Sequence, residues 1–392
     1  MEHLEGALRP YPWGSHTLIP QLRGEPSPSQ QPQAELWFGA HPAAPATVDG
    51  RGLDAAIADD PAAALGARVQ KQHGDQLPFL VKLLAAAAPL SIQAHPSLEQ
   101  AQEGYARENA EGIELNSPNR NYKDPNHKPE LIVALTQFRA LAGFRPVEDT
   151  AAFFAALGSP ELDRYATLLP TEGEGDLRAL FTTLISLPHQ PRTELISSVE
   201  RAARNLVDDP SHPAWMLEAA GVFLELNEAY PGDVGVLAAL LLNVLTLEPG
   251  EAAFLRAGQL HAYLSGLGVE VMANSDNVLR GGLTTKHVDV PELVRVLDFS
   301  TLENPRAATA PSHGGVEFQL PMDSFAVRMH TLDHGEALRL DDDGPAIVLC
   351  TSGTVRAGDF TLTQGHAAWV PANEGTSELI ADGAAEVFVA TV

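Results

Sequence analysis

The periodicity of the chain changes abruptly in its middle, and this constrains the fold more than any other feature. From Asp149 to about Tyr230, Ala and Leu recur at helical spacing, as in DTAAFFAALG and TELISSVERAARNLV. The first of these opens on Asp149 or Thr150 as a helix cap. On either side the sequence reads as short strands punctuated by Gly and Pro. At 392 residues the chain exceeds the usual size of one hydrophobic core, so two or three modules are expected. The boundaries place a strand-rich unit at 1–147 and 232–310, a helical insert at 148–231 and a C-terminal β unit at 311–392.

Within the first unit, LPFLVKLLAAAAPLSIQAHP reads as two strands separated by Pro89. GLDAAIADDPAAALG before it is a short helix broken at Pro61. Ser97 and Gln100 form a capping box that opens a polar helix over Leu98 to Glu108. SPNRNYKDPNHKPE is a structured loop that leads into the buried strand LIVAL. Strands return from Leu237 onward, with a Pro-Gly turn and a second turn at Gly258. Residues 247–273 and 335–392 share a plan of strand, Gly turn and strand, which suggests two related β-barrel halves.

Charge narrows the partners. Asp plus Glu total 51 against 25 for Lys plus Arg, a formal charge of -26. Binding nucleic acid needs a cationic surface, so that class is excluded as the main partner. A small anion held by a few local cations remains compatible. The longest apolar stretch, Val234 to Leu247, carries Asn243 and Thr246 and is too short for a membrane span. The N-terminal MEHLEGALRPYPWG lacks the basic start and apolar core of a secretory signal. A cytoplasmic protein with no membrane partner is expected, and a monomer is the simpler oligomeric state. The single cysteine, Cys350, lies in the apolar run AIVLC and reads as core.

Polar residues recur at strand spacing in three separate places. In an extended SIQAHP, the side chains of Ser91, Gln93 and His95 share one face, and Ile92 and Ala94 take the other. In HKPE, Lys128 and Glu130 share a face and His127 points away. GQLHAYL supplies His261 directly after a turn. Two imidazoles, a carboxylate and an amide oxygen are a reasonable zinc set, with bonds of about 2.0–2.2 Å. The neutral amide would leave such an ion positively charged and able to polarise a bound oxygen. Taken singly, each of these residues is more often surface or satisfied core than a ligand. The stretch EVMANSDNVLRGGLTTKHVD has almost no apolar periodicity, and it carries Glu270, Asp276, Arg280 and Lys286 beside paired glycines. It reads as an ordered loop, either a functional one or a solvated one.

AELWFGAHP, SIQAHP, NYKDPNHKPE and LRAGQLHAYLSGLGVEVMANSDNVLRGGLTTKHVDVPEL together resemble the type I mannose-6-phosphate isomerases, zinc-dependent cupin enzymes. The resemblance runs from about Pro12 to Leu297 and is weak in the helical insert and the last part of the chain. It implies a mainly β fold of cupin (double-stranded β-helix) barrels with a helical insert. It implies one zinc held by Gln93, His95, Glu130 and His261, and a catalytic arginine at Arg280. Other pocket residues fall on Ser91, Lys82, Lys128, Glu270, Asp276 and Lys286. The implied reaction interconverts mannose 6-phosphate and fructose 6-phosphate through an enediol. The base would be Glu270, or Lys128 as second choice, and Ser91, Lys82 and Lys286 are candidates for the phosphate. A zinc cupin acting on another phosphorylated sugar, or a non-catalytic sugar-phosphate-binding module, is the alternative.

Overall fold

The computed structural model describes residues 1–170 and 177–392. Residues 171–176 of the predicted helical block lie outside the described residues. The strands form a ten-stranded, a seven-stranded and a four-stranded sheet and a two-stranded ribbon. This is a cupin-type β fold with a helical layer.

The ten-stranded sheet is organised on the strand His261–Ala273. It runs antiparallel to Phe79–Ala86, Glu130–Ala134 and Phe138–Phe144, and His261 pairs with Gln93. In Phe79–Ala86 alternation sorts the side chains. Phe79, Val81, Leu83 and Ala85 enter a core shared with Val327, Ile347, Leu349 and Phe388 of the C-terminal sheet. Lys82 and Leu84 face a cavity on the other side. Each buried Val or Leu contributes roughly 1.5–3 kcal/mol, and together they anchor a strand that also buries a charged lysine.

The central strand is not straight. The Tyr263 hydroxyl donates to Glu270 Oε1 at 2.8 Å. Seven residues of straight strand would hold those positions about 23 Å apart. The register shifts between Tyr263 and Ser265, and Gly266 takes φ 121°. A Cβ on Gly266 would come within 2.6 Å of the Gln137 carbonyl oxygen. The bend therefore requires glycine.

The helical layer covers the back of the Gln93 strand. Helices Val147–Leu157, His189–Val207 and Ala214–Ala229 bury Phe153, Phe154, Val199 and Phe223. Ile92 and Ala94 belong to that same core. The strand thus turns its apolar residues to the helices and its polar ones to the cavity. Arg145, buried at the junction, donates to the Leu240 and Leu242 carbonyls and lies over the rings of Phe153 and Trp215.

Several boundaries differ from the sequence expectations. The first helix of the layer starts at Val147 behind Pro146, without a side-chain cap. The Pro146 carbonyl accepts the first helical bond from Thr150, so Asp149 and Thr150 sit inside the first turn. A short helix, Gly235–Ala239, delays the return of the strands to Leu242. Arg280 lies on a strand, Leu279–Gly282, that pairs with Ile92–Ala94, rather than in a loop. The pairing is non-local, so no local periodicity announces it. The capping box at Ser97 is present, and its helix runs Leu98–Ala110.

In the C-terminal part, Val348, Cys350, Leu362, Leu379, Val387 and Val389 form a separate core. Burial pushes the Cys350 thiol up to about 12, which fits an inert core residue. The N-terminal strand Glu2–Leu4 joins this sheet by pairing with His366–Val370. Among the described residues no helix is long and apolar enough to cross a membrane.

Candidate metal centre and pocket

His95, Glu130 and His261 converge at the floor of the cavity, all three buried, with their ligand atoms within 4.8 Å of one another. The convergence follows from strand pairing. Gln93 is flanked by His261 on one side and Arg280 on the other, and Glu130 opens the strand beside the far end of His261–Ala273.

The hydrogen bonds show what this arrangement can hold. His95 Nδ1 lies 2.6 Å from the Asn277 carbonyl oxygen, and His261 Nδ1 lies 2.9 Å from the Gln259 carbonyl oxygen. Each Nδ1 therefore carries a proton and donates it. Burial pushes the His95 pKa down to about 4, against the pull of Glu130, so its Nε2 bears a bare lone pair. His95 Nε2 and His261 Nε2 each face an oxygen of Glu130 at 3.3 Å. Burial works against the Glu130 charge, yet Lys128 and the imidazoles outweigh it and hold the carboxyl well below its usual range. His95 Nε2 and Glu130 Oε2 have no hydrogen-bond partner. Acceptors that face acceptors in a dry site are stable only with a cation between them. The 3.3 Å separations also match the edge of a tetrahedron with bonds of about 2.0–2.2 Å. The Gln93 amide lies 3.4 Å from His261 Nε2, and a half-turn of the amide would present its oxygen instead. These residues fit a zinc ion.

Asn277 ties two arms of the centre together, and sequence reasoning missed it. Its carbonyl fixes the His95 tautomer. Its side-chain amide donates to the Asp124 and Asn126 carbonyls and accepts from the Lys123 backbone N–H. It thereby pins the loop that leads to Lys128 and Glu130. Asn277 is fully buried. Its side-chain bonds are all to residues far away in the chain, so no local pattern could reveal them.

Above this floor the cavity holds about 460 Å³. Ser91, Gln93, Lys82, Lys128, Glu130, Glu270, Asp276, Arg280 and Lys286 line it. So do Tyr11, Trp13, Glu35, Trp37, Tyr230, Tyr263, Thr284 and Thr285, which sequence reasoning did not assign. For Glu35 and Trp37 a signal existed, because they alternate within AELWFG as Gln93 and His95 do in SIQAHP. Lys82 sits in mid-strand, and its ammonium is 2.7 Å from Glu270 Oε2 and 5.3 Å from the Trp37 ring centre. Burial opposes the Lys82 charge, but Glu270, Glu35 and Glu130 together raise its pKa above the ordinary value. The Glu270 carboxyl is raised by burial, with Lys82 opposing. Lys128 Nζ is 3.0 Å from Glu130 Oε1. His127 points away and bonds Ser324 at 3.0 Å.

Arg280, which pairs with Gln93, and the neighbouring Lys286 make this part of the cavity cationic. Arg280 is lowered by burial, and Lys286 is lowered first by the nearby guanidinium. Two cations that repel each other at a cavity rim are suited to an anion. Asp276 is half exposed, with Oδ1 3.5 Å from His41 Nε2.

Comparison with known proteins agrees with this geometry. Residues 1–147 match the family model for the phosphomannose isomerase type I catalytic domain, and residues 316–367 match that for its C-terminal part. Mannose-6-phosphate isomerase of Escherichia coli is 38% identical over 385 residues, covering 95% of each chain. The human mannose-6-phosphate isomerase is 34% identical over 411 residues, covering 95% of this chain and 94% of its own. A zinc-bound crystal structure of mannose 6-phosphate isomerase superposes with a TM-score of 0.88 at 34% identity, over 100% of this chain and 98% of that one. A mutant of phosphomannose isomerase from Salmonella typhimurium gives 0.89 at 35% identity, over 100% and 99%.

Proposed function

Because the chain belongs to the type I phosphomannose isomerase family, we propose that this cavity interconverts mannose 6-phosphate and fructose 6-phosphate, with zinc held by Gln93, His95, Glu130 and His261. The observation that carries the ligand assignment is the set of buried lone pairs facing one another across His95, Glu130 and His261.

Isomerisation moves hydrogen between two carbons. The C2 proton leaves for a base while O1 gains a proton, which gives an enediol. O2 then loses its proton and C1 gains one. In this reading Glu270 takes and returns the carbon-bound proton. Its burial raises its proton affinity toward working pH, and Lys82 and Tyr263 fix its orientation. Lys128 lines the cavity beside Glu130 and is placed to exchange the oxygen-bound proton. When bound, zinc supplies a fixed positive charge beside the oxygens that become negative. Arg280, on the strand next to Gln93, adds a second permanent charge. Ser91 and Lys286 are the donors for the phosphate beside Arg280, and Asp276 lines the cavity near His41. Lys82 is engaged by Glu270, so its part is to hold the base rather than the phosphate. The working form we propose is a cytoplasmic monomer, tested by cell fractionation and light scattering.

Metal analysis of the purified protein, paired with a coupled assay on mannose 6-phosphate, tests the reading. His261→Ala should lose zinc and turnover together, and retention of stoichiometric zinc would reject the ligand set. Arg280→Ala should keep zinc and lose about 10²–10³-fold in kcat. Undiminished turnover would remove it from the mechanism.

A further inference from the structure

We propose that Asp233, at the end of the helical layer, is a positioning residue that holds the cationic rim of the pocket in its substrate-binding shape. The proposal rests on the reading of that rim as the phosphate end. The rim residues Leu283, Thr284, Thr285 and Lys286 all line the cavity. Within this loop Leu283 takes φ 53°, a left-handed value that costs a bulky side chain energy. Something outside the loop must hold it there.

Asp233 makes the required bonds. Its Oδ1 accepts the Leu283 N–H at 2.7 Å and the Gly235 N–H at 2.7 Å, and its Oδ2 accepts the Thr284 N–H at 3.4 Å. One carboxylate thus stitches the start of a short helix to the rim. The two backbones touch where they are stitched. A Cβ on Gly282, at φ 127°, would lie 2.4 Å from the Gly235 Cα, and a Cβ on Gly235 would lie 2.6 Å from the Leu283 nitrogen. Tyr230, three residues before Asp233, lines the cavity and donates to the Pro89 carbonyl at 2.7 Å. Beyond the stitch, the Thr284 hydroxyl accepts the Lys286 N–H at 3.1 Å, which carries the fixed conformation on to the lysine. Asp233 itself is not part of the cavity wall, so it acts on the substrate only through this loop.

The helical layer therefore has a second task besides covering the Gln93 strand. It sets the shape of the rim that continues from the Arg280 strand. A loop freed from Asp233 would still carry its lysine and threonines, but in many conformations. Binding would weaken, while Glu130, His261 and Glu270, held by other strands, would keep their places for the chemistry.

The test uses the zinc-loaded full-length protein and three readouts: KM for mannose 6-phosphate, kcat, and inhibition by inorganic phosphate. Asp233→Ala should raise both KM and the phosphate inhibition constant about tenfold, the effect expected for losing bonds to a charged group, with kcat and zinc content kept. Asp233→Asn keeps an oxygen at the Oδ1 position and should restore most of the binding. Gly235→Ala, which pushes on Leu283 without touching the carboxylate, should reproduce the alanine phenotype and serves if Asp233→Ala does not fold. The proposal is overturned if Asp233→Ala leaves KM and phosphate inhibition unchanged, or if kcat and zinc fall along with binding. Lys286→Ala separates the two levels. If it weakens phosphate inhibition and Asp233→Ala does not, only the positioning role fails. If neither does, the phosphate end itself lies elsewhere.

Discussion

Each of the two β regions buries a histidine wired in the same way, and among the described residues only one of them joins a candidate metal cluster. In the first region His95 Nδ1 bonds a backbone carbonyl and its Nε2 has no partner. In the C-terminal region His330 Nδ1 lies 2.9 Å from the His313 carbonyl oxygen, and its Nε2 also has no partner. Burial lowers the pKa of both. The difference lies in what stands opposite. His95 faces Glu130, which faces His261, at the floor of a cavity. Among the described residues His330 belongs to no such cluster. A bare imidazole nitrogen is common to both regions, and convergence with a carboxylate is what distinguishes the candidate metal centre.

The largest test of this contrast is a matched pair of substitutions. Glu130→Gln should abolish zinc binding and reduce turnover by at least about 10³-fold. His330→Gln should leave zinc content and turnover as they are. Equal loss of zinc in both variants would erase the distinction. A smaller effect is expected at Asn277, which wires His95 to the loop before Glu130. Asn277→Ala should weaken zinc about 10–100-fold in competition with a chelator, the usual range for a group that orients a ligand. Zinc affinity equal to that of the unaltered protein would show that the hub is dispensable.

The smallest effect is a displacement of a pH profile. Glu270 must be ionised to take a proton, and burial raises its carboxyl above the ordinary 4.5. The acid limb of kcat/KM should therefore lie above pH 4.5. Lys82 stabilises the carboxylate, so Lys82→Met removes an opposing charge and should move that limb to higher pH. A limb that stays in place or moves down would exclude Glu270 as the group reported.

Much of the site was legible because it is written in strand alternation. Gln93 with His95, and Lys128 with Glu130, stand two apart; His95 just follows the strand Ile92–Ala94 and Lys128 just precedes the strand Glu130–Ala134, and both pairs reach the site. The capping box at Ser97 was equally local. What escaped depends on contacts between distant residues. The pairing of Arg280 with Gln93, the bonds of Asn277 to 123–126 and those of Asp233 to 283–284 join segments that share no pattern. The missed cap at Asp149 has a different cause, since the preceding proline set the helix start one turn earlier than the side chains suggested.

The strand bent at Gly266 carries both a candidate metal ligand, His261, and the candidate base, Glu270. Both groups therefore ride on the same stretch of polypeptide. The distance between them is thus set in part by the conformation of one glycine, and a side chain at position 266 would alter the span open to a sugar's two reacting carbons.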